Sequence, residues 1–545
     1  MWLAVVLAWQ ALWSSLMPGL IGVCPLFPSE HERLGVNVVR NYGKAVDDYD
    51  VAQLYAGWYV DYSVQLSPAR PAGMGYMQTV LPSQHYPIRP DALGPLVDAN
   101  PGALWTLGNE PDRDLQDGMT PEAYAAFYHD LYAFIKGRDP TARIAVAGVV
   151  QPTPIRLRYL DRVLDAYRQR YGVRMPVDVW TVHGFILNEA PDEWGASIPV
   201  GLEAFADEGL RRTVDDHDRM DIFRQQIVDF RRWIAGRGYR DRPLILSEYG
   251  ILLPKAYGFS DAAVANFMVE SFGFLQTATD PHTGYAPDGN RLVQAWAWYS
   301  LNDYEYVYDP VTETSRGFNG NLVDHDSGQI TPVGWRFAAS AQPLMDLHSN
   351  AAIVAAAIEP AAPIPAAAAS VVTVTATLFN GGNLDAEDVR LAVYAGDPDA
   401  GGRLLGRSQP GVTLASHCGQ EARLAVVFDA TGWAPGLYSL TAAIEMRNPQ
   451  AEKNLEDNRV NLSLWLLHPG ETLEQTLLPL VARSGGERRL EDRAGAAGDL
   501  TLKPGRVGAV GAATLRREWR RSAPVPARRP ARPLRRDRAD RRRRG

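Results

Sequence analysis

The chain of 545 residues has only two cysteines, Cys24 and Cys418. One lies beside an N-terminal apolar segment and the other lies far downstream, so a disulfide framework of the kind that staples small secreted domains is not expected. No Cys/His spacing resembles a zinc site. We therefore predict a fold held by its hydrophobic core, without a metal.

Charged side chains are absent from residues 1–28. The apolar run is interrupted by Gln10, two serines and Pro18, which makes it a poor membrane span. It is closer to a secretory signal peptide or an N-terminal anchor, although the basic start typical of a signal is missing. We expect an exported protein, extracellular or attached to the cell surface.

A strong net positive charge is found at the C-terminus, whereas the rest of the chain is net acidic. Residues 516–545 hold 14 arginines against three acids, and because the whole chain stands at −8, the rest carries −19. Such an acidic body argues against nucleic acid as a partner, since phosphate binding needs a basic groove. No periodicity persists beyond about residue 485, and residues 467–545 are predicted to be a disordered Arg-rich tail.

Short apolar segments alternate with longer amphipathic ones over residues 29–349, which is typical of parallel βαβ units. The eight predicted strands are Leu34–Val39, Ala56–Tyr62, Gly75–Leu81, Ala103–Asn109, Ile144–Val150, Val177–Phe185, Pro243–Tyr249 and Leu292–Ser300. Helix signals stand between them, such as Thr120-Pro121-Glu122. The pattern predicts an α/β fold, a (β/α)8 TIM barrel.

The composition then changes. Residues 350–369 are rich in alanine and proline and are interpreted as a linker. Residues 370–466 show period-two alternation and a turn at Asn380-Gly381-Gly382, which predict a small all-β immunoglobulin-like sandwich.

Two glutamates end strands of the predicted barrel. Glu110 follows strand four in Asn109-Glu110-Pro111, and Glu248 ends strand seven in Ser247-Glu248-Tyr249. The C-terminal strand ends of a barrel meet at one mouth, so the two carboxylates can face each other there. Hydrolysis of a glycosidic bond needs such a pair, one to protonate the leaving oxygen and one to attack the sugar or activate water.

With these two motifs, residues 33–340 resemble clan A of the glycoside hydrolases, the retaining TIM-barrel glycosidases. The resemblance implies that Glu110 is the acid/base, that Glu248 is the nucleophile and that Asn109 binds the sugar 2-hydroxyl. It implies a poly- or oligosaccharide substrate. No cofactor is expected, because acid/base displacement at an acetal needs none.

The two roles ask for different pKa values. Glu248 must be ionised to attack, while Glu110 must keep a proton near neutrality. We expect the charge on Glu248 to raise the pKa of Glu110 in the free enzyme, and a bell-shaped pH profile for the coupled pair.

The resemblance implies further substrate-binding residues. His183 on strand six lies where the clan often has a histidine or tyrosine near the nucleophile. Arg40, at the end of strand one, is the nearest candidate for an arginine that orients the nucleophile, although a solvated arginine explains it equally well. Strand two offers Trp58 in place of an arginine, which departs from the pattern.

Strand eight contains the expected sugar-stacking aromatic. Alternation puts Trp296 and Trp298 on one face of the strand and Tyr299 on the other. If the tryptophan face points inward, Trp298 is the platform; with the opposite register, Tyr299 is. Either tryptophan can instead pack against helices.

The C-terminal sandwich resembles the bacterial cell-adhesion-related (CARDB) domain. The residues that carry the resemblance are Leu378-Phe-Asn380-Gly-Gly382 and, later in the chain, Asn454-Leu-Glu-Asp-Asn458. This implies a spacer or a module that binds a cell-surface or cell-wall glycan in a monomeric, secreted bacterial protein. The alternative function is a non-catalytic carbohydrate-binding or adhesion protein on a degenerate barrel.

Overall fold

Eight parallel strands close into a barrel in the computed structural model, which describes residues 26–468 except 41, 192, 310–313, 362, 366–370 and 420. The strands are β1 (Leu34–Asn37), β2 (Trp58–Val60), β3 (Gly75–Val80), β4 (Leu104–Leu107), β5 (Arg143–Val146), β6 (Val179–His183), β7 (Leu244–Tyr249) and β8 (Ala295–Trp298). Because β1 pairs with both β2 and β8, the sheet has no free edge. All eight predicted strands are confirmed, and the α/β barrel with them.

Helices cover the outside of the barrel. They are α1 (Pro82–His85), α2 (Pro90–Asp98), α3 (Pro121–Arg138), α4 (Pro154–Tyr171), α5 (Met220–Gly236), α6 (Asp261–Thr277) and α7 (Pro332–Ala341). The Thr120 side chain accepts a hydrogen bond from the Ala123 amide and so caps α3, as the sequence predicts. Gly172 ends α4 in the left-handed conformation.

Trp58 fills the barrel interior at the lower end, which is the end where the strands begin. It is 3% exposed, and a side chain on Gly35 would collide with its ring, the nearest ring atom being 2.3 Å from an added Cβ. The other buried members of this cluster are Val60, Met77, Leu104, Ala145, Val179, Ile245, Ala295 and Ala297. The prediction that Trp58 binds substrate is therefore wrong, because its ring belongs to the core at the end of the barrel away from the C-terminal strand ends.

The second domain is a sandwich of two sheets whose strands are mostly antiparallel. One sheet contains β11 (Ala351–Glu359), β13 (Val372–Asn380) and β17 (Ala422–Phe428). The other contains β12 (Ile364–Pro365), β14 (Ala386–Ala395), β15 (Arg403–Arg407), β18 (Gly436–Glu445) and β19 (Arg459–Leu467), with β16 (Val412–Leu414) paired to β14. A separate antiparallel ribbon follows β8 in the chain and is not part of the closed sheet. Its strands are β9 (Val307–Asp309) and β10 (Thr314–Arg316).

The segment 350–369 is not simply a linker. Its first half is β11, which pairs antiparallel along the length of β13. The alanines are small enough to pack beside the sandwich core, so an alanine-rich run that suggests a flexible connection forms a strand instead.

The sandwich packs directly against the lower end of the barrel. His417 Nε2 lies 2.7 Å from the Gly73 carbonyl oxygen, just before β3. A cavity of about 860 Å³ lies between the two domains, with Phe27, Trp58 and Cys418 in its wall. Barrel and sandwich fall within one compact unit.

The N-terminal boundary also needs correction. Phe27, inside the predicted signal or anchor segment 1–28, packs against Trp58 with ring centroids 5.8 Å apart. The fold therefore begins before residue 29. Cys418 is disulfide-bonded, contrary to the expectation from the sequence. Residues 1–25, with Cys24, and most of the predicted tail lie outside the described residues.

None of the helices in the described part of the chain is both long and apolar enough to cross a bilayer.

Candidate active site

Glu110 lies at the mouth of the barrel on a tight turn after β4. Its φ of 44° is in the left-handed region, which costs a non-glycine residue on the order of 1 kcal/mol. Its amide donates to the Gly148 carbonyl oxygen at 3.1 Å, which ties the turn to the end of β5. The side chain is almost wholly buried. The turn thus holds the carboxylate toward the barrel axis at the expense of local strain.

Glu248 reaches the same place through a bulge in β7. Val182 pairs with Leu246, but the next residue on β6, His183, pairs with Glu248, so β7 contains one extra residue at this point. The register against β8 shifts at the same place. A bulge re-aims the side chains that follow it. Strict alternation from Ile245, whose side chain is in the barrel interior, would have turned Glu248 outward.

His183 bridges the two glutamates. Its Nδ1 lies 2.9 Å from Glu110 Oε1 and 3.7 Å from Glu248 Oε2. One atom from each of the three side chains lies within 4.8 Å of the others. The structure therefore brings Glu110, Glu248 and His183 together, as the sequence predicts.

Two residues that the sequence did not single out complete the cluster. The Tyr62 hydroxyl donates to Glu248 Oε2 at 2.6 Å, and the Arg113 guanidinium donates to Glu110 Oε2 at 3.1 Å. Tyr62 lies just after β2, as Glu110 lies just after β4. Its place at the C-terminal end of a barrel strand is the sequence signal by which Tyr62 could have been predicted. Nothing in the sequence around Arg113 indicates its role.

Glu110, His183 and Glu248 could each give one ligand atom to a metal ion. However, a guanidinium already donates to one of the carboxylates and a phenol to the other. A cation bound there would displace or be repelled by these donors. The donor set favours a hydrogen-bonded acid cluster over a metal centre.

The two glutamates differ in pKa in the opposite sense to that expected. Burial favours the neutral form of Glu110, but the hydrogen bond and charge of His183, with the charge of Arg113, outweigh it and lower the pKa. Burial raises the pKa of Glu248, and the charge of Glu110 adds to it, against the opposing effects of His183 and Tyr62. The cause is geometric: two cationic donors hydrogen-bond to Glu110, whereas Glu248 has only a phenol.

The surroundings of His183 favour its protonated form. Burial alone would lower the pKa of His183, but the charge of Glu248 and the hydrogen bond to Glu110 reverse this and raise it. An imidazolium between two carboxylates is favoured, because it compensates charges that burial would otherwise penalise.

Asn109 is fixed from behind by Asp117. The backbone N–H of Asn109 donates to Asp117 Oδ2 at 2.5 Å. The Asn109 side chain, next in sequence to Glu110, is only partly buried. The same Asp117 oxygen would lie 2.6 Å from a Cβ added to Gly108, so only glycine fits there. Burial raises the pKa of Asp117 to about 7, and the charges of Glu110 and Asp112 add to this. Asp117 therefore supports the turn that carries the candidate acid/base.

A buried ion network anchors this turn from the other side. Arg156, on α4, contacts the carboxylates of Asp112 and Glu189, and all three side chains are inaccessible to solvent. Arg156 also donates to the carbonyl oxygens of Ala196 and Ser197 at 2.9 Å. The network joins the loops after β4 and β6 to the start of α4.

The strand-eight tryptophans do not line the site. Trp296 and Trp298 are fully buried, and Trp298 packs edge-on against Tyr249 while its Nε1 donates to the Gly320 carbonyl oxygen. Both side chains lie between the barrel and its helices, so the predicted roles of Trp296 and Trp298 in substrate binding are wrong.

Tyr299 takes the inward position, which is the alternative register. Its hydroxyl donates to Asp303 Oδ2 at 3.0 Å. Burial and the charges of Asp303 and Glu248 raise the pKa of Tyr299, as expected for a phenol beside the acid cluster. Tyr299, which directly follows β8, thus lies near the acid cluster, and its contact with a substrate stays a prediction.

Arg40 does not orient Glu248. It donates to Asp61 Oδ2 at 3.2 Å and to Ser63 Oγ at 3.1 Å, and its side chain is 43% exposed. The contact to Glu248 comes from Tyr62, between those two partners in the chain. The prediction that Arg40 orients the nucleophile is therefore wrong.

The Asp117→Asn variant should stabilise the protein at alkaline pH. Below pH 3.8 Asp117 is protonated in both the folded and unfolded states; as pH rises toward 7 the unfolded state loses its proton first, so wild-type stability falls. Asparagine keeps an acceptor for the Asn109 amide and removes this penalty. We expect Tm to exceed that of the wild type by about 2–4 °C at pH 8, the shift that about 1 kcal/mol produces in a large domain, and to match it at pH 4.

Asp114→Asn, at an exposed position in the same loop, is the matched control and should leave the pH dependence of Tm unchanged. Equal Tm differences for Asp117→Asn at both pH values would contradict the prediction.

No family model and no curated protein matches this sequence. Solved structures do resemble it. A GH128 (subgroup II) endo-β-1,3-glucanase from Sorangium cellulosum is 17% identical, with a TM-score of 0.37, over 56% of this chain and 98% of that one. The endo-β-1,4-mannanase from Thermotoga petrophila is 11% identical, with a TM-score of 0.32, over 82% and 100%. A CARDB domain from Pyrococcus furiosus is 15% identical, with a TM-score of 0.18, over 23% and 93%.

Proposed function

We propose that the protein is a retaining glycoside hydrolase that cleaves O-glycosidic bonds of poly- or oligosaccharides. The observation that carries the proposal is the approach of Glu110 and Glu248 at the barrel mouth, where one oxygen of each lies within 4.8 Å of the other. Carboxyl groups about 5–5.5 Å apart suit a retaining enzyme, whereas inverting enzymes leave about 6.5–9.5 Å for a water molecule.

In this proposal Glu248 is the nucleophile and Glu110 the acid/base. Glu248 attacks the anomeric carbon while the bond to the leaving oxygen breaks and Glu110 gives that oxygen a proton. Water then attacks the glycosyl-enzyme, gives its proton to Glu110 and releases Glu248. Tyr62 fixes the Glu248 carboxylate, and His183 holds both glutamates in register.

The lowered pKa of Glu110 must be reconciled with its role as an acid. A bound saccharide removes water from the mouth and places a neutral oxygen beside Glu110, which disfavours the charged form. The working protonation state is then reached in the complex and not in the empty site. The pH profile of kcat/KM should report the free pair and that of kcat the complex.

The substrate is best sought with a panel of glycans. β-1,3-Glucan and β-1,4-mannan are its first members, and the anomer of the initial product is read by NMR. Products that keep the configuration of the cleaved bond support the proposal, and inverted products contradict it. Saccharide binding without hydrolysis, unaffected by Glu248→Gln, would identify a binding or adhesion protein instead.

Glu110→Ala should separate substrates by leaving group. A glycan linkage has a poor leaving group that needs a proton, so its hydrolysis should fall by about 10²–10⁴-fold. The glycosylation step with an activated aryl glycoside needs no acid and should be nearly unaffected, which a burst of aryl alcohol would reveal. Equal losses for both substrates would remove Glu110 from the role of acid.

We also propose that the protein is exported, and is extracellular or at the cell surface. The disulfide at Cys418 supports this, because disulfides persist mainly in oxidising compartments. Detection of the protein in the cytoplasmic fraction with Cys418 as a free thiol would contradict it.

A further inference from the structure

Arg113 makes an unusual contact for a group beside a general acid. Its guanidinium donates to Glu110 Oε2 at 3.1 Å, and the other oxygen of Glu110 is taken by His183. A fixed positive charge at this distance stabilises the carboxylate, which opposes proton donation. The site as it stands is therefore not set for the first step of hydrolysis.

The two donors to Glu110 differ in accessibility. The His183 side chain is 2% exposed and is packed against Gly148, where an added Cβ would lie 2.7 Å from the ring. The Arg113 side chain is 22% exposed and comes from the loop between β4 and α3, whose residues 114–116 are all exposed. Arg113 is consequently the partner that can leave, and its departure would free Oε2 of Glu110.

We propose that Arg113 is a positioning residue that holds Glu110 in the empty site and is displaced from Oε2 by the leaving-group oxygen of a bound saccharide. This rests on the proposed function. The contact keeps the Glu110 carboxylate oriented, and its loss lets Glu110 take up a proton from solvent hydronium when the substrate arrives. The carboxyl O–H bond forms as one O–H bond of the hydronium breaks, which leaves a water molecule.

Other charged groups face Glu110 and act in both states. They are His183 from β6, Glu248 from β7, Tyr62 from the loop after β2, and Asp112 and Asp117 from its own loop. His183 is buried and cannot withdraw. The acids disfavour a further negative charge, and the Tyr62 phenol donates to Glu248 and not to Glu110. Arg113 is therefore the group whose departure changes the balance at Glu110.

The test compares Arg113→Met, which keeps the length of the side chain, with Arg113→Lys, which keeps the charge. Kinetics are measured against pH on whichever panel glycan the wild type cleaves. The kcat/KM profile reports the free enzyme, so Arg113→Met should move its basic limb to higher pH; the kcat profile reports the complex and should keep its shape. Arg113→Lys should lie between Arg113→Met and the wild type in kcat/KM.

Two results would overturn the proposal. Equal shifts of both profiles in Arg113→Met would mean that Arg113 stays on Glu110 throughout. A loss of rate without any shift would mean that its role is only structural. Arg211→Met, which removes an exposed arginine paired with Glu193, is the matched control and should move neither profile.

A second measurement does not depend on hydrolysis. A group whose pKa is lowered by folding contributes stability above its unfolded pKa and loses it as pH falls through the folded pKa. Glu110 in the wild type behaves this way. Without Arg113 the folded-state pKa of Glu110 lies closer to its unfolded value, so less stability is lost in acid. Thermal unfolding of Arg113→Met should therefore show a smaller acid loss of Tm, complete at higher pH, than in the wild type or Arg211→Met.

If no glycan is cleaved but the acid limb of Tm shifts, the contact is real and the proposed hydrolase activity fails. If hydrolysis occurs and the acid limb of Tm does not move, the activity stands and the role of Arg113 fails.

Discussion

Glu248→Gln is expected to reduce hydrolysis by about 10⁴-fold or more while the protein stays folded. Glutamine keeps the shape of the side chain and can still accept the hydrogen bond from Tyr62, but it cannot form the glycosyl-enzyme. Burial raises the pKa of Glu248, so its ionised form weakens the fold and a neutral replacement should not lower Tm at pH 7. Activity is measured on a cleaved panel glycan, and Tm by calorimetry.

Glu270→Gln is the matched control, because Glu270 is exposed on α6 and pairs only with Arg224 among the contacts described. It should leave hydrolysis unchanged. In Glu248→Ala, azide should enter the vacated space and yield a glycosyl azide of inverted configuration from an activated aryl glycoside. Turnover by Glu248→Gln at the wild-type rate would refute the assignment of the nucleophile.

Arg156→Met is expected to destabilise the folded protein by about 3–5 kcal/mol. Removing the guanidinium leaves Asp112 and Glu189 as buried carboxylates without their cation, and a broken buried pair costs far more than the intact pair contributes. The measurement is urea denaturation followed by tryptophan fluorescence. Because Asp112 lies two residues after Glu110, we also expect kcat to fall.

Arg158→Met tests the same chemistry at an exposed position. Arg158 lies one half-turn further along α4 and pairs with Glu208, but its side chain is 43% exposed. Its loss should cost less than about 1 kcal/mol. Equal destabilisation by the two variants would mean that the buried network does not anchor the loop after β4.

The sequence carried the barrel and both glutamates because these depend on local patterns. Each barrel strand is a short apolar run bounded by turn signals, and the end of a strand is readable from the sequence. Glu110 and Glu248 could be paired because strand ends in a barrel converge.

What could not be predicted depends on register and on long-range contacts. The bulge that turns Glu248 inward is visible only from the pairing of β7 with β6 and β8. Whether Tyr299 or Trp298 faces the site depends on the same kind of register, so alternation alone left two answers. The contact of Arg113 with Glu110, and the order of pKa values that it causes, arises from loop conformation.

The prediction of a linker at residues 350–369 was incorrect for a different reason. Composition indicated a flexible connection, but Ala351–Glu359 finds a partner strand more than ten residues further on, in β13. An alanine-rich segment has little preference of its own, so tertiary pairing decides its structure.

The missing linker has a mechanical consequence. The sandwich meets the barrel beside the start of β3, whereas Glu110 and Glu248 lie at the opposite ends of the strands. The sandwich is therefore held at the end of the barrel remote from the two carboxylates, and a ligand can approach them without any movement of the sandwich.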